Sequence, residues 1–205
     1  MSRPVRYYIC MNIKPKKIVL ICGNPDSDSF TGAILDRYHA AAEENGHEVK
    51  RYNLGNMNFD PILHMGYKQI QQLEPDLLEL QDAIRECDHV VIAYPNWWCT
   101  MPALLKGLFD RIWLPGFAFN FNKETKKVEA HLKGKTARVY VISGSHSPFR
   151  TWWRYGDYTN EIQYGILEFA GIKSKVTTYG PCERANDTCK NKWFKEVEGH
   201  GKVGK

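Results

Sequence analysis

The sequence predicts an α/β protein in which helices cover both faces of a five-stranded parallel sheet. Five short segments rich in valine, isoleucine and tyrosine recur along the chain, and helical patterns fill the intervals between them. Strands that alternate with helices are typical of parallel sheets, because each parallel connection needs a crossover. The predicted strands span residues 17–23, 47–54, 89–95, 137–144 and 174–180.

The apolar content of these strands predicts which of them lie at the edges of the sheet. The first, third and fourth, which read KIVLICG, HVVIAYP and ARVYVISG, are almost continuously apolar, as strands buried on both faces are. The second and fifth carry more polar residues and are therefore predicted at the edges. With right-handed crossovers, this pattern predicts a three-layer, flavodoxin-like sandwich of strand order 2-1-3-4-5.

The predicted helices have recognisable ends. The first begins at Thr31 and stops before Gly46, a residue suited to the left-handed position after a helix. Pro102 fits the first turn of the third helix, with Thr100 as its candidate N-cap. The predicted helices span 31–45, 77–87, a segment after Pro102, 157–170 and 188–198.

Length and composition favour one domain. The chain has 205 residues and contains no internal repeat, low-complexity tract or linker. We expect a flexible N-terminal arm over residues 1–16, a single domain over 17–198 and a C-terminal tail over 199–205. Either Met1 or Met11 is compatible with the natural start.

Charge and cysteine content argue against several classes of protein. The net charge of +5 is modest and the basic residues are spread along the chain, so no nucleic-acid footprint is indicated. The six cysteines include no pair with CxxC spacing, which favours reduced thiols in the cytoplasm and indicates no metal site. No apolar run approaches the ~18 residues of a membrane-spanning helix, so stable membrane insertion is not expected.

A sheet of this order binds ligands outside the carboxyl ends of its strands, where strands 1 and 3 diverge. That rule selects three loops, at 23–31, 94–101 and 143–150. The first reads GNPDSDSFT and lacks the usual dinucleotide and nucleoside-triphosphate motifs. Its serine hydroxyls and the free N–H groups of a helix start can form a phosphate site. The same serines can equally serve only as helix caps.

The second loop reads YPNWWCTM. Trp97 and Trp98 can present flat apolar faces, and the backbone N–H groups of residues 96–99 can donate to polar ring atoms. A flavin needs both kinds of contact. The alternative is that one tryptophan packs in the core and the other lies at a dimer interface.

In the third loop, Ser143, Gly144 and Ser145 follow the fourth strand, and small residues let a planar ligand approach the backbone. His146 is either catalytic or simply exposed. Aromatic side chains at 152–155 add surface that suits a ligand site and a subunit interface equally well.

Together the three loops resemble those of the flavodoxin-fold NAD(P)H:quinone oxidoreductases. The shared features are NPxxxSFT after the first strand, YPNWWxxMPALLKGxFDRIxxPGFAF after the third and a Ser-Gly loop after the fourth. That family includes DT-diaphorase, the bacterial modulator-of-drug-activity proteins and the ancillary proteins of Kef-type potassium-efflux systems. The resemblance covers residues 17–198 and is most specific in the second loop.

The resemblance implies a tightly bound flavin, FMN or alternatively FAD, in a homodimer that takes electrons from NADPH or NADH. It assigns the flavin phosphate region to the first loop and the isoalloxazine ring to the other two. The cofactor-binding residues that it implies are Asn24, Ser29, Phe30, Thr31, Pro95, Asn96, Trp97, Trp98, Cys99, Ser143, Gly144 and Ser145.

The GFAF segment implies an acceptor pocket built across the dimer. By this resemblance, Phe119 and Phe121 are walls of that pocket, together with Trp98. Some relatives have tyrosines at the two phenylalanine positions, which favours a more apolar pocket here. Tyr155 falls where mammalian relatives have a histidine proposed to relay charge. Tyr155 is therefore the candidate catalytic side chain, and the relay itself is not reproduced.

The activity implied is a ping-pong, two-electron reduction of quinones, or of similar electron-poor aromatics, by NAD(P)H with hydride transfer through the flavin. Three alternatives stay open on the sequence. The first is a flavoprotein regulatory subunit in peripheral contact with a potassium-efflux transporter. The others are a one-electron flavodoxin carrier and a flavin-free binding protein. The basic charge argues against the carrier, because flavodoxins are strongly acidic.

Overall fold

A computed structural model describes residues 14–144 and 146–205. The predicted N-terminal arm lies outside the described residues as far as residue 13, and so does Ser145. The strands are β1 (Lys17–Cys22), β2 (Glu48–Asn53), β3 (His89–Pro95), β4 (Phe119–Phe121), β5 (Val128–Ala130), β6 (Thr136–Ile142) and β7 (Lys173–Tyr179). The helices are α1 (Phe30–Glu44), α2 (Pro75–Glu86), α3 (Ala103–Ile112), α4 (Pro148–Tyr155), a π-helix (Glu161–Glu168) and α5 (Asp187–Val203).

Five of the strands form one parallel sheet of order β2-β1-β3-β6-β7. Numbered among themselves, these strands have the order 2-1-3-4-5, so the predicted topology is confirmed. In the register of β1, Ile18 pairs with Val49 of β2 and with His89 of β3. The more polar strands β2 and β7 lie at the edges, as their composition predicted. β4 and β5 form a separate antiparallel hairpin.

Helices bury an apolar core on each face of the sheet. Successive residues of a strand point to opposite faces, so Val19 and Ile21 of β1 belong to one core while Ile18 and Leu20 belong to the other. The first core contains side chains of α2, α3 and the π-helix. The second contains those of α1 and α5, which pack against each other. Because both faces are covered, the central strands have to be apolar on both sides.

The first helix begins and ends close to the predicted positions. Its first residue is Phe30, because the Ser29 hydroxyl accepts a hydrogen bond from Gly32 N and caps the helix. The predicted start at Thr31 therefore lies one residue late. Gly46 has a φ of +81°, the left-handed conformation predicted after this helix.

The C-terminal third differs more from the sequence prediction. Residues 157–170 were predicted as one helix, but the helical structure here is α4, which begins at Pro148, and a π-helix that begins at Glu161. Gly156 follows α4 at a φ of +85° and ends it. The last helix continues to Val203, so the tail predicted for 199–205 is mostly helical. No helix within the described residues is long and apolar enough to cross a membrane.

Arg111 of α3 is fully buried and binds the segment that precedes α2. Its guanidinium donates to both carboxylate oxygens of Glu74, at 2.9 and 3.2 Å, to the Gln72 carbonyl at 2.7 Å and to the Asp60 carbonyl. Burial alone would raise the pKa of Glu74, but the hydrogen bonds from Arg111 hold that pKa below its ordinary value. The cluster therefore fixes residues 60–74 against α3.

Replacing Glu74 with alanine should leave the buried guanidinium of Arg111 without its counter-ion. We expect the free energy of unfolding to fall by about 3 kcal/mol, as when one partner of a buried ion pair is removed. Urea denaturation measures this loss. The matched control is Glu86→Ala, because Glu86 pairs with Lys17 at 3.9 Å on the exposed surface, where a pair is worth about 0–1 kcal/mol. Equal losses in the two variants would contradict the role given to Glu74.

Candidate active site

A cavity of about 820 Å³ opens at the carboxyl ends of β1, β3 and β6, where the switch-point rule predicted a ligand site. All of the predicted cofactor-binding residues that the structure describes line this cavity, while Ser145 lies outside the described residues. The lining residues are Asn24, Ser29, Phe30, Thr31, Pro95, Asn96, Trp97, Trp98, Cys99, Ile142, Ser143, Gly144, His146, Thr151, Tyr155 and Glu183.

Each of the three loops is hydrogen-bonded to the neighbouring strand at the point where it leaves the sheet. These bonds run from Gly23 N to Ala93 O (2.8 Å), from Asn96 N to Ile142 O (2.8 Å) and from Ser143 N to Tyr179 O (2.7 Å). The loops therefore start from fixed positions, and the sheet register determines where they meet.

The first loop presents an anion site made of neutral donors. Asn24 Nδ2 donates to Ser29 Oγ at 3.0 Å, and Ser29 Oγ accepts from Gly32 N at 3.3 Å. The backbone N–H groups of Phe30 and Thr31 have no acceptor within the described residues, as is usual in the first turn of a helix. These free donors and the positive end of the α1 dipole favour a phosphate.

The second loop is a tight two-residue hairpin. Trp97 N donates to Thr100 O at 3.0 Å and Thr100 N donates to Trp97 O at 3.1 Å, with Trp98 and Cys99 at the turn. The turn residues have φ of +55° and +65°, which two-residue hairpins usually reserve for asparagine or glycine. The left-handed conformation costs tryptophan and cysteine roughly 1–2 kcal/mol each, so the hairpin is strained. Thr100 closes the hairpin instead of capping α3, where Pro102 is the N-cap residue.

The hairpin also corrects two sequence interpretations. The N–H groups of Asn96 and Trp97 are bonded within the protein, so they are not the free donors expected. Those of Trp98 and Cys99 donate to no acceptor in the described part of the chain. Neither tryptophan packs in the core, because Trp97 is 46% exposed and Trp98 is 97% exposed.

The third loop is compact and leads into α4. Ser143 is buried, and its hydroxyl donates to the His146 carbonyl at 2.8 Å. Thr151 is the one buried residue of α4, and it faces the cavity together with Tyr155 near the end of the helix. Tyr155 is half-exposed at this position. Its catalytic role stays a prediction.

Glu183 lines the cavity, although the sequence did not predict it as a site residue. It follows β7, and the switch-point rule does not select the loop after that strand. Glu183 N donates to Gly144 O at 3.2 Å, and its carboxylate lies so close that a Cβ added to Gly144 would be 2.8 Å from Oε1. Because β6 and β7 are neighbours in the sheet, the predicted strand order contained the signal that would have found this residue.

The electrostatic character of the cavity is unusual for an anion site. Among its described lining residues there is no lysine or arginine, and Glu183 supplies a carboxylate. Binding of a phosphate therefore depends on hydrogen-bond donors and the helix dipole. No group of histidine, cysteine and acidic side chains within the described residues is placed to hold a metal ion.

Phe119 and Phe121 do not line this cavity. They lie in a second groove of about 590 Å³, where Phe119 packs edge-on against Phe121 and Phe169 with ring centroids 5.2 and 5.0 Å apart. Trp98, the third predicted acceptor residue, lines the first cavity. One chain alone does not bring the three predicted acceptor residues together.

The lining of the first cavity fits a flavin. A flavin needs flat apolar contacts for its ring, hydrogen-bond partners for its polar ring atoms and an anion site for its phosphate. Trp97 and Trp98 supply the first, and the free N–H groups at the turn supply donors. The side-chain Oδ1 of Asn96 is buried without a hydrogen-bond partner, so an acceptor is also available. The start of α1 supplies the anion site.

Comparison with known proteins agrees with this geometry. A family described as "Flavodoxin-like fold" matches residues 16–192. An uncharacterized NAD(P)H oxidoreductase of Haemophilus influenzae is 33% identical over 76% of this chain and 79% of that protein. Ribosyldihydronicotinamide dehydrogenase (quinone) of Rattus norvegicus is 28% identical over 81% of this chain and 82% of that protein.

A solved structure extends the comparison to the fold. The NAD(P)H:quinone oxidoreductase from Methanothermobacter marburgensis superimposes with a TM-score of 0.80 at 22% identity. The match covers 94% of this chain and 100% of that one. With the family matched over nearly the whole of the described sheet and its helices, the chain belongs to the flavodoxin-like fold family.

Proposed function

We propose that this chain is a flavin-dependent NAD(P)H:quinone oxidoreductase. The proposal is carried by the cavity at the switch point, where an anion site, two tryptophan faces and free backbone donors converge. The names of the relatives support it, since one is a NAD(P)H oxidoreductase and another a quinone-dependent dehydrogenase. When bound, the flavin supplies hydride transfer between the nicotinamide nucleotide and the acceptor.

In this proposal the first loop holds the flavin phosphate. The N–H groups of Phe30 and Thr31 donate to the phosphate oxygens, and the positive end of α1 stabilises the anion. Asn24 and Ser29 shape the loop through the 3.0 Å hydrogen bond between their side chains. Because these donors carry no net charge, phosphate binding depends mainly on the direction in which their N–H bonds point.

The hairpin and the third loop hold and orient the ring. Trp97 and Trp98 exclude water from its edge, and the N–H groups at the turn donate to its polar atoms. Donors fixed in advance by the protein stabilise developing negative charge well, because they need no reorganisation during the reaction. Tyr155 lies at the half-exposed side of the cavity, where its hydroxyl can donate a hydrogen bond to an oxygen of the acceptor.

We assign FMN as the flavin, with NADPH or NADH as the electron donor. An adenine-bearing flavin needs a further groove beyond the phosphate. Beyond the phosphate loop, Phe30 instead packs against Trp193 and Phe194, with ring centroids 6.1 and 5.4 Å apart. The Nζ atom of Lys190 lies 5.8 Å from the centroid of the Phe30 ring. No residue in the described part of the chain marks a separate adenine groove, so the proposal is the mononucleotide.

The acceptor pocket is completed by a second copy of the chain. The groove that contains Phe119, Phe121 and Phe169 is apolar, and Phe121 is 62% exposed in the single chain. Contiguous exposed apolar surface of this kind marks interaction sites. A homodimer that places this groove against the partner's cavity brings the phenylalanines to the flavin.

The direct test is an absorbance spectrum of the purified protein. We expect flavin bands that bleach on addition of NADPH or NADH and recover with a soluble quinone such as menadione. Mass analysis of the released flavin should identify FMN. A colourless protein that takes up neither FMN nor FAD on reconstitution would contradict the proposal.

Ser29 offers a matched pair of variants for the phosphate loop. Aspartate and asparagine both cap helices well, but only aspartate carries a charge. Ser29→Asp should weaken FMN binding roughly a thousandfold, because unit charges of like sign about 4 Å apart repel by about 4 kcal/mol at an effective dielectric of 20, and about 1.4 kcal/mol is tenfold in affinity. Ser29→Asn should bind FMN nearly as the parent does. Fluorescence titration measures both affinities, and equal affinities would show that the phosphate lies elsewhere.

A charged residue in the apolar groove tests the dimer. Phe121→Asp should convert a dimer to a monomer and lower quinone turnover, because a carboxylate would be buried at the interface without a partner. Sedimentation velocity gives the assembly state. Asn120→Asp is the control, since Asn120 precedes Phe121 in β4, lies on the opposite face of the hairpin and does not line the groove. A parent chain that sediments as a monomer would exclude the shared pocket.

A further inference from the structure

Glu161 begins the π-helix and reaches back to the hairpin that carries both tryptophans. Its Oε1 accepts a hydrogen bond from the Thr100 hydroxyl at 2.6 Å and another from Met101 N at 3.2 Å. The chain separation between Glu161 and these donors is 61 and 60 residues, so the contact is tertiary. π-helices are rare and occur often at functional sites. Glu161 itself lines a recess beside the flavin cavity, and not that cavity.

The hairpin needs a contact from elsewhere in the chain, because its two turn residues disfavour the backbone conformation that they adopt. Trp98 and Cys99 have left-handed φ angles without the asparagine or glycine that such a turn favours. Packing holds the turn only in part, since Cys99 is half-buried against the first apolar core but Trp98 is 97% exposed. The two backbone bonds between Trp97 and Thr100 are the hairpin's own. Glu161 adds a restraint where the hairpin returns toward α3.

We propose that Glu161 is a positioning residue for the flavin, holding the strained hairpin in the shape that presents Trp97, Trp98 and the free N–H groups to the ring. The inference rests on the proposed function, because the flavin is the ligand that this shape serves. Glu161 acts through Thr100 and Met101 and touches neither the cofactor nor the acceptor.

The chemistry of the contact suits this role. A carboxylate accepts hydrogen bonds about twice as strong as those of a neutral acceptor, and one oxygen here receives both donors. Lys106 lines the same recess, but its ammonium pairs with Asp110 at 2.6 Å. Thr100 and Met101 are therefore the partners assigned to the Glu161 carboxylate.

The first test is FMN titration of the apoprotein, followed by flavin fluorescence. Glu161→Ala is expected to weaken binding at least tenfold, and Glu161→Gln, which keeps an acceptor oxygen, should recover most of the affinity. The matched control is Glu168→Ala, at the far end of the same π-helix, where the carboxylate contacts Gln163 and Ser174. This control should bind FMN as the parent does. Parent-like affinity in Glu161→Ala would overturn the proposal.

A second test separates positioning from general stability. Glycine adopts positive φ without a Cβ penalty, so Cys99→Gly relaxes the turn. In that background, Glu161→Ala should weaken FMN binding less than threefold. Thr100→Val removes the donor hydroxyl, so it should weaken binding by itself and add little to Glu161→Ala. An undiminished loss in the Cys99→Gly background would mean that Glu161 supports the fold and not the turn.

A third measurement needs no flavin. Hydrogen exchange in the apoprotein reports on the Trp97 and Thr100 amides, which the hairpin protects. Glu161→Ala should accelerate their exchange at least fivefold while leaving the central strands unchanged. If the parent binds no flavin, the proposed function fails, yet faster exchange still supports the anchoring by Glu161. Unchanged exchange at both amides would overturn that anchoring. Should Glu161→Ala not fold, Thr100→Val decides by the same measurement.

Discussion

The register of the parallel strands is the constraint on which the candidate site depends. The carboxyl ends of β1, β3 and β6 lie at one edge of the sheet, and a backbone bond to the neighbouring strand holds each following loop there. Stretches of chain far apart in sequence therefore line one cavity, and backbone bonds such as Asn96 N to Ile142 O and Glu183 N to Gly144 O join them. The register is in turn held by burial on both faces of the sheet, so the apolar cores determine the geometry of the polar site.

The net charge of +5 suggests that basic side chains line the candidate anion site, but the structure places them elsewhere. The fully buried arginine, Arg111, lies in α3 and holds the segment before α2. The described lining of the cavity has no lysine or arginine, and Glu183 introduces negative charge. An anion at the start of α1 has to meet the free N–H groups of that helix in the right direction. Such a site distinguishes one anion from another by the direction of its N–H donors. The positive charge elsewhere attracts anions to the surface at long range.

What the sequence could predict depended on local pattern. Continuous apolar runs identify strands buried on both faces, and the strand order then places three loops at one edge. Contacts between distant segments left no pattern in the local sequence, although the predicted order of the strands pointed to the loop after β7. Glu183 reaches the cavity from the loop after the edge strand, and Glu161 meets the hairpin from a distant segment. The positive φ angles of Trp98 and Cys99 were also unpredictable, because propensity assigns that conformation to other residues.

Trp98 offers what an unstrained turn sequence would lack. Asn-Gly would form the same hairpin without strain, but it would offer no flat apolar surface. Trp97 and Trp98 line both the cavity at the carboxyl ends of the strands and the recess that Glu161 also lines. A ring with a recess on each side has no place in the core of its own chain, and Trp98 is accordingly 97% exposed in the single chain. Because only Cys99 of the two turn residues packs against the core, the shape of the hairpin depends also on hydrogen bonds from outside it, and the Glu161 carboxylate accepts two of them.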